Sequence, residues 1–156
     1  MILYLMRHGA AEDHAKSGRD RDRKLSAKGR AAATAAAVEL LRQRGEPIRV
    51  IVTSPATRAL ETAELVQRHA GDKQTTLETR DELAPEQATP LSLARSLAAR
   101  GHDVLIVGHQ PWIEALARAL AQRGPAIPNY STSLIVGIDP HTERVVALID
   151  PRAAAS

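Results

Sequence analysis

Apolar positions along the chain follow two periods. Ile2–Met6, Ile48–Val52, Val104–Val107, Leu134–Ile138 and Val145–Ile149 are short runs rich in Val, Ile and Leu. Such runs predict buried strands. Between them lie longer Ala/Leu-rich stretches with charges on one face: Ala27–Arg44, Ala56–His69, Leu91–Arg100 and Trp112–Gln122. These predict helices. Ser26 supplies an N-cap for the first helix, and Gly45 a C-cap, with Arg42 and Arg44 in its last turn. Pro55, Pro90 and Pro111 are expected at first helical positions, and Gly71, Gly101 and Gly124 just beyond helix ends.

Strands alternating with helices imply a parallel or mostly parallel sheet covered on both faces, an α/β sandwich of three layers. The last two strands have no helix between them. Asp139-Pro140-His141-Thr142 reads as a hairpin turn, so one strand should run antiparallel. Residues 10–24 carry no apolar period and read as a long loop at the C-terminal end of the first strand. A loop of that length in a compact domain is either a solvated connection or a functional segment. The tail Pro151–Ser156 is expected to fray.

Length and composition narrow the classes of function. A chain of 156 residues, 44% hydrophobic and 25% charged, is expected to form one domain over residues 1–156. The absence of cysteine excludes a disulfide framework, a thiolate nucleophile and thiolate metal ligands. Met1–Met6 is too short for the apolar region of a signal peptide and meets Arg7-His8 in place of a cleavage site, which predicts an untargeted, cytoplasmic protein. The net charge of +3 comes from 21 basic and 18 acidic residues interspersed along the chain. There is no basic stripe and aromatics make up only 2%, which argues against a nucleic-acid partner. His14, His69, His102 and His141 are scattered and read as surface or loop residues, so no metal is expected.

The candidate chemistry lies at the strand ends, because open α/β sheets bind ligands beyond the C-terminal ends of their strands. The first strand ends in Arg7-His8-Gly9, the second in Thr53-Ser54-Pro55-Ala56-Thr57-Arg58, and a later one in Gly108-His109-Gln110-Pro111. If these strands are neighbours, two arginines and two histidines converge. Arg58 would sit in the first turn of its helix, where its charge opposes the macrodipole and calls for an anion. Glu61 or Glu64 could supply that anion as an ordinary surface pair. His8 and His109, each taken singly, read as well as buried, hydrogen-bonded histidines. Their joint placement at one sheet edge favours a site.

Four segments carry a resemblance. Leu5-Met6-Arg7-His8-Gly9, Leu25-Ser26-Ala27-Lys28-Gly29, Ser54-Pro55-Ala56-Thr57-Arg58-Ala59-Leu60-Glu61-Thr62-Ala63 and Val107-Gly108-His109 are similar, in order and spacing, to the signatures of the histidine phosphatase superfamily, which includes the phosphoglycerate mutases. In size, and in Val107-Gly108-His109-Gln110-Pro111, the chain is most similar to the SixA-like phosphohistidine phosphatases. The resemblance implies a phosphoglycerate mutase-like fold with His8 as a nucleophile that is transiently phosphorylated. It implies that Arg7, Arg58 and His109 hold the phosphoryl oxygens, with Gln110 beside them, and that no metal or other cofactor is needed. Asp81-Glu82-Leu83-Ala84-Pro85 resembles the segment that carries the proton donor, which makes Glu82 the candidate, with Asp81 and Glu86 as competitors and an exposed loop acid as the alternative reading.

Two features depart from the pattern. Arg23-Lys24-Leu25 stands where SixA-like chains often carry Arg-Pro-Leu, and Ala10-Ala11 follows Arg-His-Gly where mutases use a serine or asparagine nearby. The second departure weighs against a mutase. The expected substrate is phosphohistidine on a protein partner of a phosphorelay. A small phosphorylated metabolite or nucleotide, and a phosphate-binding module without turnover, are the alternatives. A monomer is expected, with no membrane partner.

Overall fold

The computed structural model describes residues 1–154, and side chains up to residue 152. Six strands form one sheet: β1 (Leu3–Arg7), β2 (Val50–Thr53), β3 (Thr76–Thr79), β4 (Val104–Gly108), β5 (Ile135–Asp139) and β6 (Arg144–Ile149). Their order is β3-β2-β4-β1-β5-β6. β3, β2, β4 and β1 pair in parallel, β5 runs antiparallel to β1, and β6 returns antiparallel to β5 through the predicted hairpin. The expected mostly parallel sheet with one reversed strand is therefore present.

Alternation along the central strands sorts side chains to two faces. Leu3 and Leu5 of β1, Val104 and Ile106 of β4, and Val50 and Val52 of β2 pack with Leu93 and Leu97 of α3 (Leu91–Ala98) and with Trp112, Ile113 and Leu116 of α4 (Trp112–Leu120). Tyr4, Met6, Ile51, Leu105 and Val107 pack on the other face with α1 (Ala27–Arg44) and α2 (Thr57–Ala70). The result is the three-layer α/β/α sandwich. The buried positions of α1 are small (Gly29, Ala33, Ala36, Ala37, then Leu40), which lets α2 approach closely through Ala59, Ala63 and Val66.

The bounds of α1 agree with its sequence signals. The Ser26 hydroxyl accepts from the Gly29 N–H at 3.0 Å, and Gly45 takes the left-handed conformation with φ 74°. Elsewhere the structure corrects the reading. Pro90 and Pro111 are N-cap residues and Pro55 lies two residues before α2, so none is the first helical residue. β3 has no apolar run: Thr76-Leu77-Glu78-Thr79 is an edge strand in which no residue is fully buried. Pro151–Ala154 forms a short helix, α5, with Pro151 buried, where fraying was expected; the rest of that tail lies outside the described residues. No helix among the described residues is long and apolar enough to cross a membrane.

Candidate active site

The register brings the predicted strand ends together. Thr53 of β2 and Met6 of β1 both lie opposite Val107 of β4, and Arg7 lies opposite Gly108. The segments that leave these strands, Arg7-His8-Gly9, Ser54-Pro55 and His109-Gln110, therefore emerge side by side. The His8 N–H donates to the Gly108 carbonyl at 3.0 Å, and the Ser133 N–H donates to the Arg7 carbonyl at 3.0 Å. The Gly9 N–H donates to Thr62 Oγ1 at 2.9 Å, and that hydroxyl donates to the Arg58 carbonyl at 2.7 Å, tying the β1 loop to the start of α2. Ser133 holds a left-handed φ of 64° while fully buried beside Arg7 and His8, a strained position of the kind that clusters at functional sites.

His8 and His109 are buried with ring centroids 4.9 Å apart. His8 Nδ1 lies 2.7 Å from the Gly9 carbonyl, an acceptor only, so Nδ1 carries the proton of the neutral ring and Nε2 keeps its lone pair. Burial lowers the His8 pKa to about 4; the hydrogen bond to Gly9 opposes this, and the charges of Arg58, Arg7 and Arg23 reinforce it. His109 is lowered to about 3, first by burial and then by His8 and Arg58. Both rings are neutral at pH 7. His109 Nε2 is 2.7 Å from Ser54 Oγ, which also accepts from the Ala56 N–H at 3.2 Å. With the Ser54 hydroxyl donating to Nε2, the His109 proton resides on Nδ1. Trp112 holds the outer edge of His109 at a centroid separation of 6.3 Å and anchors its indole N–H on the Ala84 carbonyl.

The guanidinium groups of Arg7 and Arg58 lie near enough to one another and to His8 to lower its pKa. Arg7 Nη1 donates to the Tyr130 carbonyl at 2.9 Å. Arg58 is 5% exposed and pairs with neither Glu61 nor Glu64, which the sequence left open as ordinary surface partners. Glu61 instead accepts from the Leu25 N–H and faces Arg30. The partner of Arg58 is Asp20 of the 10–24 loop, through its carbonyl at 3.1 Å and its carboxylate at 3.2 Å. Among the described residues, Arg7 Nε, Arg58 Nε and His109 Nδ1 are buried with no hydrogen-bond partner. Leaving a buried donor unpaired costs about 1–3 kcal/mol, so three in one cluster mark a place built for an acceptor.

Beside this cluster opens a cleft of about 650 Å³, lined by Asp20, Arg21, Pro55, Ala56, Asp81, Ala84, Pro85, Glu86 and Gln87. Glu82 does not line it. Its exposed carboxylate is bound by Arg80 Nη2 at 2.8 Å and borders a separate groove with Thr89–Leu93. The 3₁₀ turn Asp81–Leu83 explains this, since its three residues point about 120° apart: Leu83 into the core, Asp81 to the cleft and Glu82 outward. The acids that face the cleft are thus the two competitors, Asp81 and Glu86, together with Asp20. Gln110 is half-buried; its amide N–H₂ donates to Glu114 at 3.4 Å and its Oε1 is unpartnered. No group of metal-ligating side chains occurs among the described residues. Sequence reasoning did not assign Asp20, Ser54 or Thr62 a part in the cluster, and only the length of the 10–24 loop hinted that it had a role.

A three-layer α/β/α domain with Arg58 and two neutral histidines buried, and Arg7 half-buried, at the C-terminal edge of its sheet has the groups to receive an oxyanion there. A family profile described as "Histidine phosphatase superfamily (branch 1)" matches residues 3–88, and the chain belongs to that superfamily. An uncharacterized protein of Picosynechococcus sp. is 34% identical over 96% of this chain and 92% of its own length. The structure of the protein histidine phosphatase SixA complexed with tungstate matches with a TM-score of 0.80 at 27% identity, covering 99% of each chain. A protein of Agrobacterium tumefaciens that carries the name SixA matches with a TM-score of 0.78 at 26% identity, over 96% of this chain and 97% of that one. The phosphoglycerate mutase-like, SixA-like fold expected from the four sequence segments is the fold observed.

Proposed function

We propose that the chain is a phosphatase that works through phosphorylation of His8, and that its substrate is phosphohistidine on a partner protein. The observation that carries the reading is the group of three buried, unpartnered donors on Arg7, Arg58 and His109 beside an imidazole whose Nε2 lone pair is free. A tetrahedral phosphoryl group offers three oxygens to those donors while Nε2 faces phosphorus. His8 Nε2 attacks, the bond from phosphorus to the leaving nitrogen breaks, and the electron pair leaves on that nitrogen, giving neutral imidazole because the ring's other nitrogen carries a proton. Water then attacks phospho-His8, inorganic phosphate departs, and the electron pair returns to Nε2. Arg7 and Arg58 carry the charge that metal ions balance in other phosphoryl transfers, so the scheme uses no metal. Gln110 lies next to His109 and is a further contact for the substrate.

The leaving group favours phosphohistidine. A phosphohistidine ring protonated on its other nitrogen leaves as imidazole, whose conjugate-acid pKa is near 6.5; this is far better than an alkoxide, and the proton comes from water and not from a strong acid of the site. This suits a site whose expected donor, Glu82, is held outward by Arg80. Asp81 and Glu86, in the cleft, are the acids placed to protonate a leaving group. The likeness to the SixA proteins supports the same reading.

The test compares kcat/KM for a phosphohistidine-bearing protein with that for a panel of small phosphate esters and nucleotides. The expected result is preference for the protein. Preference for one small ester would make the substrate a metabolite, and phosphate binding without any turnover would make the chain a binding module. His8→Ala should lower turnover by at least about a thousandfold, as loss of a nucleophile does.

A further inference from the structure

The 10–24 loop brings an anion of its own to the site. Asp20 meets Arg58 twice, by its carboxylate on Nη2 at 3.2 Å and its carbonyl on Nη1 at 3.1 Å. Its other carboxylate oxygen accepts from Arg23 Nε at 2.9 Å. The Arg58 side chain is 6% exposed and the Asp20 side chain 66% exposed, so the carboxylate reaches a buried guanidinium from the solvent side. Arg58 cannot shed its charge on burial. With Glu61 engaged by Leu25 and Arg30, Asp20 is the carboxylate that balances it. Besides Arg58, the segment that holds Asp20 is tied by exposed contacts: Ser17 Oγ and Arg19 Nε on the Asp22 carboxylate, and Arg23 Nη1 on the Glu12 carbonyl. The turn Asp20–Asp22 contains no buried residue, whereas the base of the loop is pinned where the Glu12 N–H donates to the Lys24 carbonyl and the Ser26 N–H to the Ala10 carbonyl. A segment with no buried residue, held by exposed hydrogen bonds, opens at lower cost than the core, while its base stays in place.

We propose that Asp20 is a built-in competitor of the substrate: its carboxylate holds Arg58 while the site is free, and the incoming phosphoryl group displaces it. This rests on the phosphatase reading above. A doubly charged phosphoryl group outcompetes one carboxylate on paired guanidiniums. When inorganic phosphate is formed, Asp20 returns to Arg58 and speeds its departure. Asp20 is a positioning and gating residue and does not touch the reacting atoms. Arg23, freed from Asp20 on displacement, becomes available to the bound anion.

Two measurements test this. The dissociation constant for inorganic phosphate is compared in the natural protein, Asp20→Asn and Asp20→Ala. Asn keeps the size and the backbone contact of Asp20 and removes the charge. Both variants should bind phosphate about tenfold more tightly, with lower KM and no gain in kcat, as loss of one competing charge-assisted contact implies. Unchanged or weaker binding would overturn the proposal, weaker binding showing that Asp20 only steadies Arg58. Hydrogen exchange on the natural protein is independent of whether the variants fold. Saturating phosphate should speed exchange at residues 17–23, and slower or unchanged exchange would overturn the proposal. If the natural protein binds phosphate and labels His8 yet shows neither effect, the displacement idea alone fails. If it does neither, the phosphatase reading fails with it.

Discussion

His8 has one nitrogen committed to the Gly9 carbonyl and the other free, and its burial among guanidiniums keeps it uncharged down to about pH 4. The nucleophilic form is therefore already dominant at pH 5.5, and kcat/KM should show no His8 break between pH 5.5 and 8. An acid limb near pH 6.5 that persists with a substrate having no group titrating there would mean that the imidazole is not buried as described. The same shift sets a stability slope. The folded pKa lies below the unfolded value near 6.5, so the unfolded chain binds the extra proton between pH 6.5 and 4. Stability falls as pH drops through that window, by up to about 3 kcal/mol from His8 alone. Thermal unfolding from pH 7 to 4.5 checks this, and His8→Asn should flatten that part of the slope. Arg58→Ala should lower kcat roughly 10²–10³-fold, the usual cost of one preorganised charge on a transition state. The convergence of Arg7, His8, Arg58 and His109 was legible because each ends or follows a strand or opens a helix. Asp20 was not, because a loop with no apolar period gives no sign of where it folds back. The outward position of Glu82 was not legible because sequence adjacency to Asp81 says nothing about which side of a 3₁₀ turn each residue takes.

Elements position these residues through close contacts that leave no spare volume. Gly108, the last residue of β4, faces the Trp112 indole; an added Cβ would lie 1.9 Å from the nearest ring atom. Gly108→Ala should therefore displace the ring that flanks His109. The expected cost is about 2–3 kcal/mol in denaturant unfolding, together with loss of activity. Ser26→Ala, which removes the N-cap of α1 and the hydroxyl's bond to the Ala10 carbonyl, should cost about 1 kcal/mol and leave kcat unchanged. The helices were easy to read because caps and Ala/Leu-rich composition agree over many residues. β3 was not, since an edge strand with Leu77 as its one apolar side chain needs only its pairing to β2, and that partner is remote in sequence.

At the scale of the whole molecule, stability and chemistry sit at opposite ends of the sheet. Beyond the N-terminal ends of the strands, Arg44 is buried against Asp103 and over the Tyr4 ring, while Asp103 also accepts from the Ile2 N–H at 2.7 Å. This pins the C-terminal end of α1 to the starts of β1 and β4, away from the oxyanion cluster. Arg44→Met leaves Asp103 without its partner, and should cost about 2 kcal/mol of stability while kcat/KM stays unchanged at temperatures where the variant is folded. Cross-chain convergence of this kind is what a sequence hides most: strand order decides which ends meet, and only the sandwich class follows from alternation alone.

The most direct measurement is a trap of the covalent intermediate. Protein mixed with a labelled phosphoramidate and quenched in alkali should carry one acid-labile, alkali-stable phosphoryl group on His8, and His8→Ala should carry none. Label that survives in that variant, or that maps to another residue, would contradict the assignment of His8 as the nucleophile.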